Sequence, residues 1–232
     1  MNRSKDKPKV FTALPSDSKH GASDQALDSD RIYGEQFNPR QVFLFSGHMI
    51  DAPGRTEPRF PAAQETVATR AISDILDRLD AGFEDLALCS GACGGDILFA
   101  EACLQRGVRL EMRLPFAIPA FLKKSITFAG EEWQTRFYRI KDNPLTTLFI
   151  STDEQLPSAT NENAYVRTNL RLLDCALAWG EQKVHFICLW NRQRGDDKGG
   201  TEHMYNVVNK RTGQVHILDT NELFKEEHHD TH

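Results

Sequence analysis

The chain has 232 residues, enough to bury one sizeable α/β core, and nothing in its composition calls for a second. Its 28 Lys+Arg against 33 Asp+Glu give a formal net charge of -5, so no global basic field favours nucleic acid or an anionic membrane, although a local basic groove stays open. Five cysteines, an odd number in a chain long enough to fold without staples, read as reduced thiols in a cytoplasmic setting, and no window has the length or apolarity of a signal peptide or a membrane span.

Residues 1–38 are rich in Ser, Asp, Lys, Gly and Pro around one short apolar patch, Val10-Phe-Thr-Ala-Leu14. They read as a flexible arm or a strap lying on a domain that spans 39–222. Val42-Phe-Leu-Phe45 is a buried-strand run that leads into the polar loop Ser46–Arg55. From Ala63 to Leu79 the apolar residues Val67, Ala71, Ile72, Ile75, Leu76 and Leu79 fall on one helix face. A second strand is expected at Leu86–Cys89, a helix over Asp96–Arg106 closed by Gly107, and a third strand at Val108–Leu114, ended by Pro115. Two short helices around Phe121–Ile126 and Glu131–Tyr138 precede a fourth strand at Thr146–Ile150. The spacing then predicts an amphipathic helix over Ala164–Trp179, stopped by Gly180, and a fifth strand at Val184–Trp190. A glycine-rich charged loop follows at Asn191–Gly200, then a helix at Glu202–Lys210 and a last strand at Val215–Leu218; residues 223–232 read as a disordered tail.

Strands alternating with helices imply an α/β fold, a mostly parallel sheet with helices on both faces, because parallel neighbours need crossover connections. In such sheets ligands bind outside the carboxyl ends of the strands, where four constellations converge. In the first, Ser90-Gly-Ala-Cys-Gly-Gly-Asp96, glycines follow a strand and open a helix. That geometry lets backbone N–H groups approach an anion such as phosphate, although glycines also serve simple tight turns. The spacing is neither a dinucleotide fingerprint nor a P-loop, and Asp96 could cap the helix or bond a ribose hydroxyl. The second is Ser46-Gly-His-Met-Ile-Asp51 with Arg55 and Arg59 beyond, where an arginine fork could take a phosphate or carboxylate. Third comes Tyr165-Val-Arg-Thr-Asn169, in which Arg167 at a helix start runs against the helix dipole. The fourth is Gly199-Gly-Thr-Glu-His-Met204, with Thr201 as a natural N-cap. No Cys-x-x-Cys pair or His-Glu-x-x-His helix occurs, so no metal is expected.

The order of these motifs over Gln41–Thr220 resembles the SLOG superfamily, a Rossmann-like group that includes the DNA-processing protein A fold and the lonely-guy phosphoribohydrolases. The residues that carry the resemblance are Ser46-Gly47, Ser90-Gly91 through Gly95-Asp96 with Ala100 in the next helix, Arg167 and Asn169, and Gly199-Gly-Thr201. It implies a nucleotide-derived ligand over the strand ends. Members range from hydrolases that cleave a base from a ribose 5′-monophosphate, through DNA-binding proteins, to sensors of nucleotide signals linked to effectors in antiviral or stress systems. The phosphoribohydrolases carry a glutamate three residues after the threonine of Pro-Gly-Gly-x-Gly-Thr. Here Met204 stands at that offset and Glu202 adjoins Thr201, which turns the resemblance toward binding rather than cleavage.

The expectation is therefore a nucleotide sensor. Ser90, Gly91, Ala92, Gly94, Gly95 and the N–H groups up to Asp96 would cradle a phosphate, and Gly199, Gly200 and Thr201 would hold a second polar group. Arg167 and Asn169 would complement charge, His48 and Asp51 would contact sugar or base, and Ser46, Gly47 and Arg55 of the same loop would also line the ligand site. A small-molecule nucleotide is the expected partner, with a homo-oligomer and an effector left open. The alternative is a nucleoside or nucleotide N-glycosidase in which Asp51, Asp96, Glu101 or Glu202 supplies the carboxylate that stabilises an oxocarbenium ion.

Overall fold

The computed structural model describes residues 9–13, 37–151, 161–193, 200–211 and 214–225. Their strands are β1 (Lys9–Ala13), β2 (Val42–Gly47), β3 (Leu86–Cys89), β4 (Arg109–Leu114), β5 (Thr146–Ser151), β6 (Val184–Trp190) and β7 (Val215–Asp219). The helices are α1 (Glu65–Arg78), α2 (Gly95–Gln105), α3 (Ile118–Ser125), α4 (Glu131–Lys141), α5 (Asn161–Leu177), α6 (Thr201–Val208) and the single turn α7 (Thr220–Leu223). The seven strands form one sheet in the order β1-β5-β4-β3-β2-β6-β7, and every described pairing is parallel.

β2 shows why the strands read as unbroken apolar runs. Phe43 and Phe45 enter a core shared with α1 to α4, whereas Val42 and Leu44 enter a second core shared with Leu172, Leu173 and Ala176 of α5 and with Met204 and Val208 of α6. A strand buried on both faces has no polar alternation to show. From β2 the chain steps outward through β3, β4 and β5 with its helices on one face, then returns through α5 on the other face to β6 and β7. Right-handed crossovers demand that change of face when the direction of travel reverses. The reversal makes the carboxyl end of β2 a switch point, where an open α/β sheet leaves a crevice. This architecture is Rossmann-like in the broad sense.

α2 is the most enclosed helix. Eight of its eleven residues are buried, since it lies between the sheet, α1 and α4. Gly107 ends it as its position in the sequence suggests: at φ +75° it donates its N–H to Leu104 O (3.1 Å), and Val108 N–H bonds Cys103 O (3.1 Å), a Schellman closure. Lys9–Ala13, inside the segment read as an arm or strap, is an edge strand paired in register from Lys9 opposite Thr147 to Ala13 opposite Ser151. The last described turn, α7, is capped by Asp219, whose side chain accepts from Asn221 N–H at 3.0 Å. Among the described residues no helix is long and apolar enough to cross a membrane.

Candidate functional site

A cavity of about 230 Å³ lies over the carboxyl ends of β2, β3 and β6. Its floor is Phe45, Ser46 and Gly47, and its walls come from the loop after β2 (His48 to Ala52, Arg55, Arg59) and from Ser90, Ala92 and Asp96. Tyr165, Asn169 and Leu172 of α5 face it, as do Trp190 and the first turn of α6, Gly200 to Glu202. All four constellations thus meet at one place, the third through Tyr165 and the expected Asn169 rather than through Arg167.

The glycines of the central loop are accounted for by packing. Gly94 sits at φ +89°, and a Cβ there would lie 2.6 Å from Ile50 N and 2.9 Å from His48 O. Gly91, at φ +79°, lies where a Cβ would strike the Met112 sulfur at 2.4 Å. Gly47 and Gly95 let β2 and the start of α2 touch, since a Cβ on Gly47 would come 3.3 Å from Gly95 Cα. Gly91, Gly94 and Gly95 are therefore behind the cavity wall rather than on it.

Four N–H groups of that stretch are also committed. Cys93 N–H donates to Ser125 O (2.9 Å), Gly95 N–H to His48 O (3.0 Å) and Ile97 N–H to Ala92 O (3.2 Å). The carboxylate of Asp96 lies inside the loop. It accepts the Ser90 hydroxyl in a close hydrogen bond and the Ala92 N–H at 3.3 Å, both at Oδ2. Asp96 is buried at 4% exposure, and burial pushes its carboxyl up to about 6 against the opposing pull of Ser90 and of the loop N–H groups. It is the second residue of α2, not its cap; Gly94 takes the cap position without a side-chain bond.

His48 is likewise tied into the fold. Its own N–H bonds Leu189 O (3.0 Å), and its Nε2 receives the Asn191 backbone N–H at 3.2 Å, with Asn191 Oδ1 3.1 Å from the same nitrogen. A backbone N–H can only donate, so Nε2 accepts and the ring proton resides on Nδ1. Burial lowers the imidazole to about 4, and it is neutral at physiological pH. Asp51 pins its own loop: Oδ2 accepts from Arg59 N–H and Phe60 N–H, each at 2.9 Å, and Oδ1 lies 3.5 Å from Arg55 Nε.

Two of the candidate groups lie away from the cavity. Glu101 is gripped by Arg136, with Nε at 2.9 Å from Oε1 and Nη2 at 2.6 Å from Oε2, while Nη1 of the same arginine reaches Glu65 at 2.6 Å. That carboxylate joins α2 to α4 and is not among the lining groups. Arg167 does not line the cavity either, and the helix period explains it. Tyr165, Asn169 and Leu172 are spaced i, i+4, i+7 and share a face, whereas Arg167 is two residues, about 200°, from both Tyr165 and Asn169. Tyr165 is the group the sequence argument passed over. Its hydroxyl pairs with Ser125 Oγ at 2.9 Å and its ring stands edge-on to Phe116 at 5.3 Å. The α-helical spacing from Asn169 was the signal that could have found it.

At α6 the expected cap is displaced by one residue. Gly200 is the N-cap, without a side-chain bond, and Thr201 is the first helical residue and buried. Gly199 lies outside the described residues. Cys93, in the glycine loop, is buried and its thiol is pushed up to about 12, so it is a packed core thiol rather than a nucleophile. Among the described residues no group of three or more His, Cys, Asp or Glu is placed to hold a metal ion.

No family model and no curated protein matches the chain. Two solved structures of the molybdenum cofactor carrier protein from Chlamydomonas reinhardtii align with it. One is 12% identical over 78% of this chain and 92% of that chain, with a TM-score of 0.30; the other is 10% identical over 80% and 98%, with a TM-score of 0.32.

Proposed function

We propose that the cavity at the end of β2 binds a nucleotide or a nucleotide-derived signal, and that the protein acts as a sensor of that ligand, in keeping with the resemblance to SLOG proteins. The observation that carries this reading is the convergence, at the switch point of a doubly wound parallel sheet, of the loop after β2, the Ser90–Asp96 turn, one face of α5 and the start of α6. Phe128 and Tyr165 offer flat apolar surface for a base. Arg55, Arg59 and the first turn of α6 give the same cavity a positive side for an anionic group. A homo-oligomer or an effector partner would read out the occupied state.

The test is a thermal-shift panel of nucleoside mono-, di- and triphosphates and cyclic nucleotides. A ligand at a hundred times its dissociation constant stabilises the fold by about 2.7 kcal/mol, which moves the melting temperature by several degrees. No shift with any member overturns the binding claim.

A second reading, N-glycosidic cleavage, is favoured by one observation: Asp96 and Glu202 both line the cavity. Asp51 is held by its loop and Glu101 by Arg136, so Asp96 and Glu202 would carry the chemistry. Incubation with nucleoside monophosphates and NAD, followed for released base, decides it. Turnover that is lost in Asp96→Asn or Glu202→Gln would establish an enzyme in place of a sensor.

A further inference from the structure

The Ser90–Asp96 corner has a polarity that sets what a ligand can present to it. The carboxylate of Asp96 fills the loop where an anion would otherwise sit, and it draws in the Ala92 N–H at 3.3 Å. The neighbouring N–H groups of Cys93 and Gly95 are spent on Ser125 O and His48 O. The Ser90 hydroxyl has one proton, and that proton is given to Asp96 Oδ2. Its oxygen therefore turns only lone pairs toward the cavity that it lines. With Asp96 titrating near 6, both side chains are acceptors at neutral pH. A second anion at this corner would meet a carboxylate and an acceptor oxygen, with the Ala92, Cys93 and Gly95 N–H groups already engaged, which costs rather than gains free energy. A neutral donor would meet two acceptors.

We infer that Ser90, with its hydroxyl oriented by Asp96, is the specificity determinant of the cavity: the pair accepts hydrogen bonds from neutral donors of the ligand, the hydroxyl groups of a sugar, and keeps anionic groups off the glycine loop. This rests on the nucleotide reading of the same cavity and orients its ligand, sugar toward β3 and anionic group toward Arg55 and Arg59. Asp96 is a positioning residue here and acts through Ser90.

Affinities of the four ribonucleoside 5′-monophosphates and their 2′,3′-dideoxy counterparts, measured by calorimetry, test the first half. Hydrogen bonds to a charged or charge-oriented acceptor predict that the wild-type protein prefers the ribose forms by about ten- to a hundredfold. The preference falls toward one in Ser90→Ala and Asp96→Asn and survives in Ser90→Thr, which keeps the hydroxyl; circular dichroism checks that each variant is folded. Equal affinities in the wild type, or a preference that persists in Ser90→Ala, overturn the inference. The second half is read by titrating inorganic phosphate into isotopically labelled protein and following the amide signals of Gly91 and Ala92. Shifts absent from the wild type and present in Asp96→Asn support the exclusion of anions, and any other pattern overturns it. If no nucleotide binds, the function proposed above falls, and the phosphate titration still decides this inference by the same criterion.

Discussion

Replacing Gly94 by alanine tests the geometry on which the cavity wall depends. At φ +89° and ψ -129° the residue occupies a region that side-chain-bearing residues avoid, at a cost of about 1–3 kcal/mol. The new Cβ would also meet backbone atoms, Ile50 N at 2.6 Å and both His48 O and Met49 C at 2.9 Å, which cannot swing aside as a side chain can. Overpacking of this kind adds about 1–3 kcal/mol. The loss expected is therefore about 2–6 kcal/mol, a large share of the roughly 5–15 kcal/mol that stabilises a typical protein. Gly54→Ala is the matched control, because Gly54 has a similar φ of +79° with nothing within 4 Å of a Cβ, so only the backbone cost of about 1–2 kcal/mol remains. Urea unfolding of the two variants at equal m-values separates them. With m near 2 kcal/mol per molar, Gly94→Ala should lower the midpoint by about 1–3 M and Gly54→Ala by at most about 1 M. Equal losses would refute the claim that the loop after β2 is seated on the start of α2 by a glycine that nothing larger can replace.

Acid stability should depend on two groups of opposite sign. His48, lowered to about 4 from 6.5, leaves the unfolded chain with the extra proton between those values, so its contribution is complete above pH 6.5 and is lost as the pH falls toward 4. Asp96, raised to about 6 from 3.8, leaves the folded chain with the extra proton over nearly the same window, which strengthens the fold as the pH falls from 6 to 3.8. Asp96→Asn should therefore steepen the acid loss by about 1.4 kcal/mol per pH unit between 6 and 4 relative to wild type, and His48→Gln should flatten it; unchanged slopes in urea titrations would refute both. Arg136→Ala should cost about 1–2 kcal/mol, discounted because Glu65 is 36% exposed, and the loss should shrink in high salt as the stranded Glu65 and Glu101 are screened. Cys93 and Cys188, each pushed up to about 12 by burial, should resist a disulfide-exchange reagent at pH 8 until the protein is unfolded; rapid labelling of the native state would contradict their packing.

The layered architecture is legible in the local pattern of the chain. Apolar runs such as Val42–Phe45 and Val184–Trp190, separated by helical periodicity and glycine stops, specify parallel strands buried on both faces, because the period of burial is a local property of each segment. That pattern also located the loops that meet over the strand ends, since a parallel sheet brings the carboxyl ends of its strands to one side. Which groups in those loops are available depends instead on contacts between distant segments. The loop of residues 91–95 looks like a phosphate cradle until His48 O, Ser125 O and the Asp96 carboxylate are seen to take the N–H groups of Gly95, Cys93 and Ala92, and the first two come from positions 47 and 32 residues away from Gly95 and Cys93. Glu101, a candidate catalytic carboxylate by its place in the sequence, is closed in by Arg136, 35 residues on. Lys9–Ala13 gained its place only from pairing with β5, over a hundred residues later. Hydrogen bonding and ion pairing are settled between segments that the chain keeps far apart, so a local pattern can bring a residue to the site without revealing whether its polar atoms face the ligand or the fold.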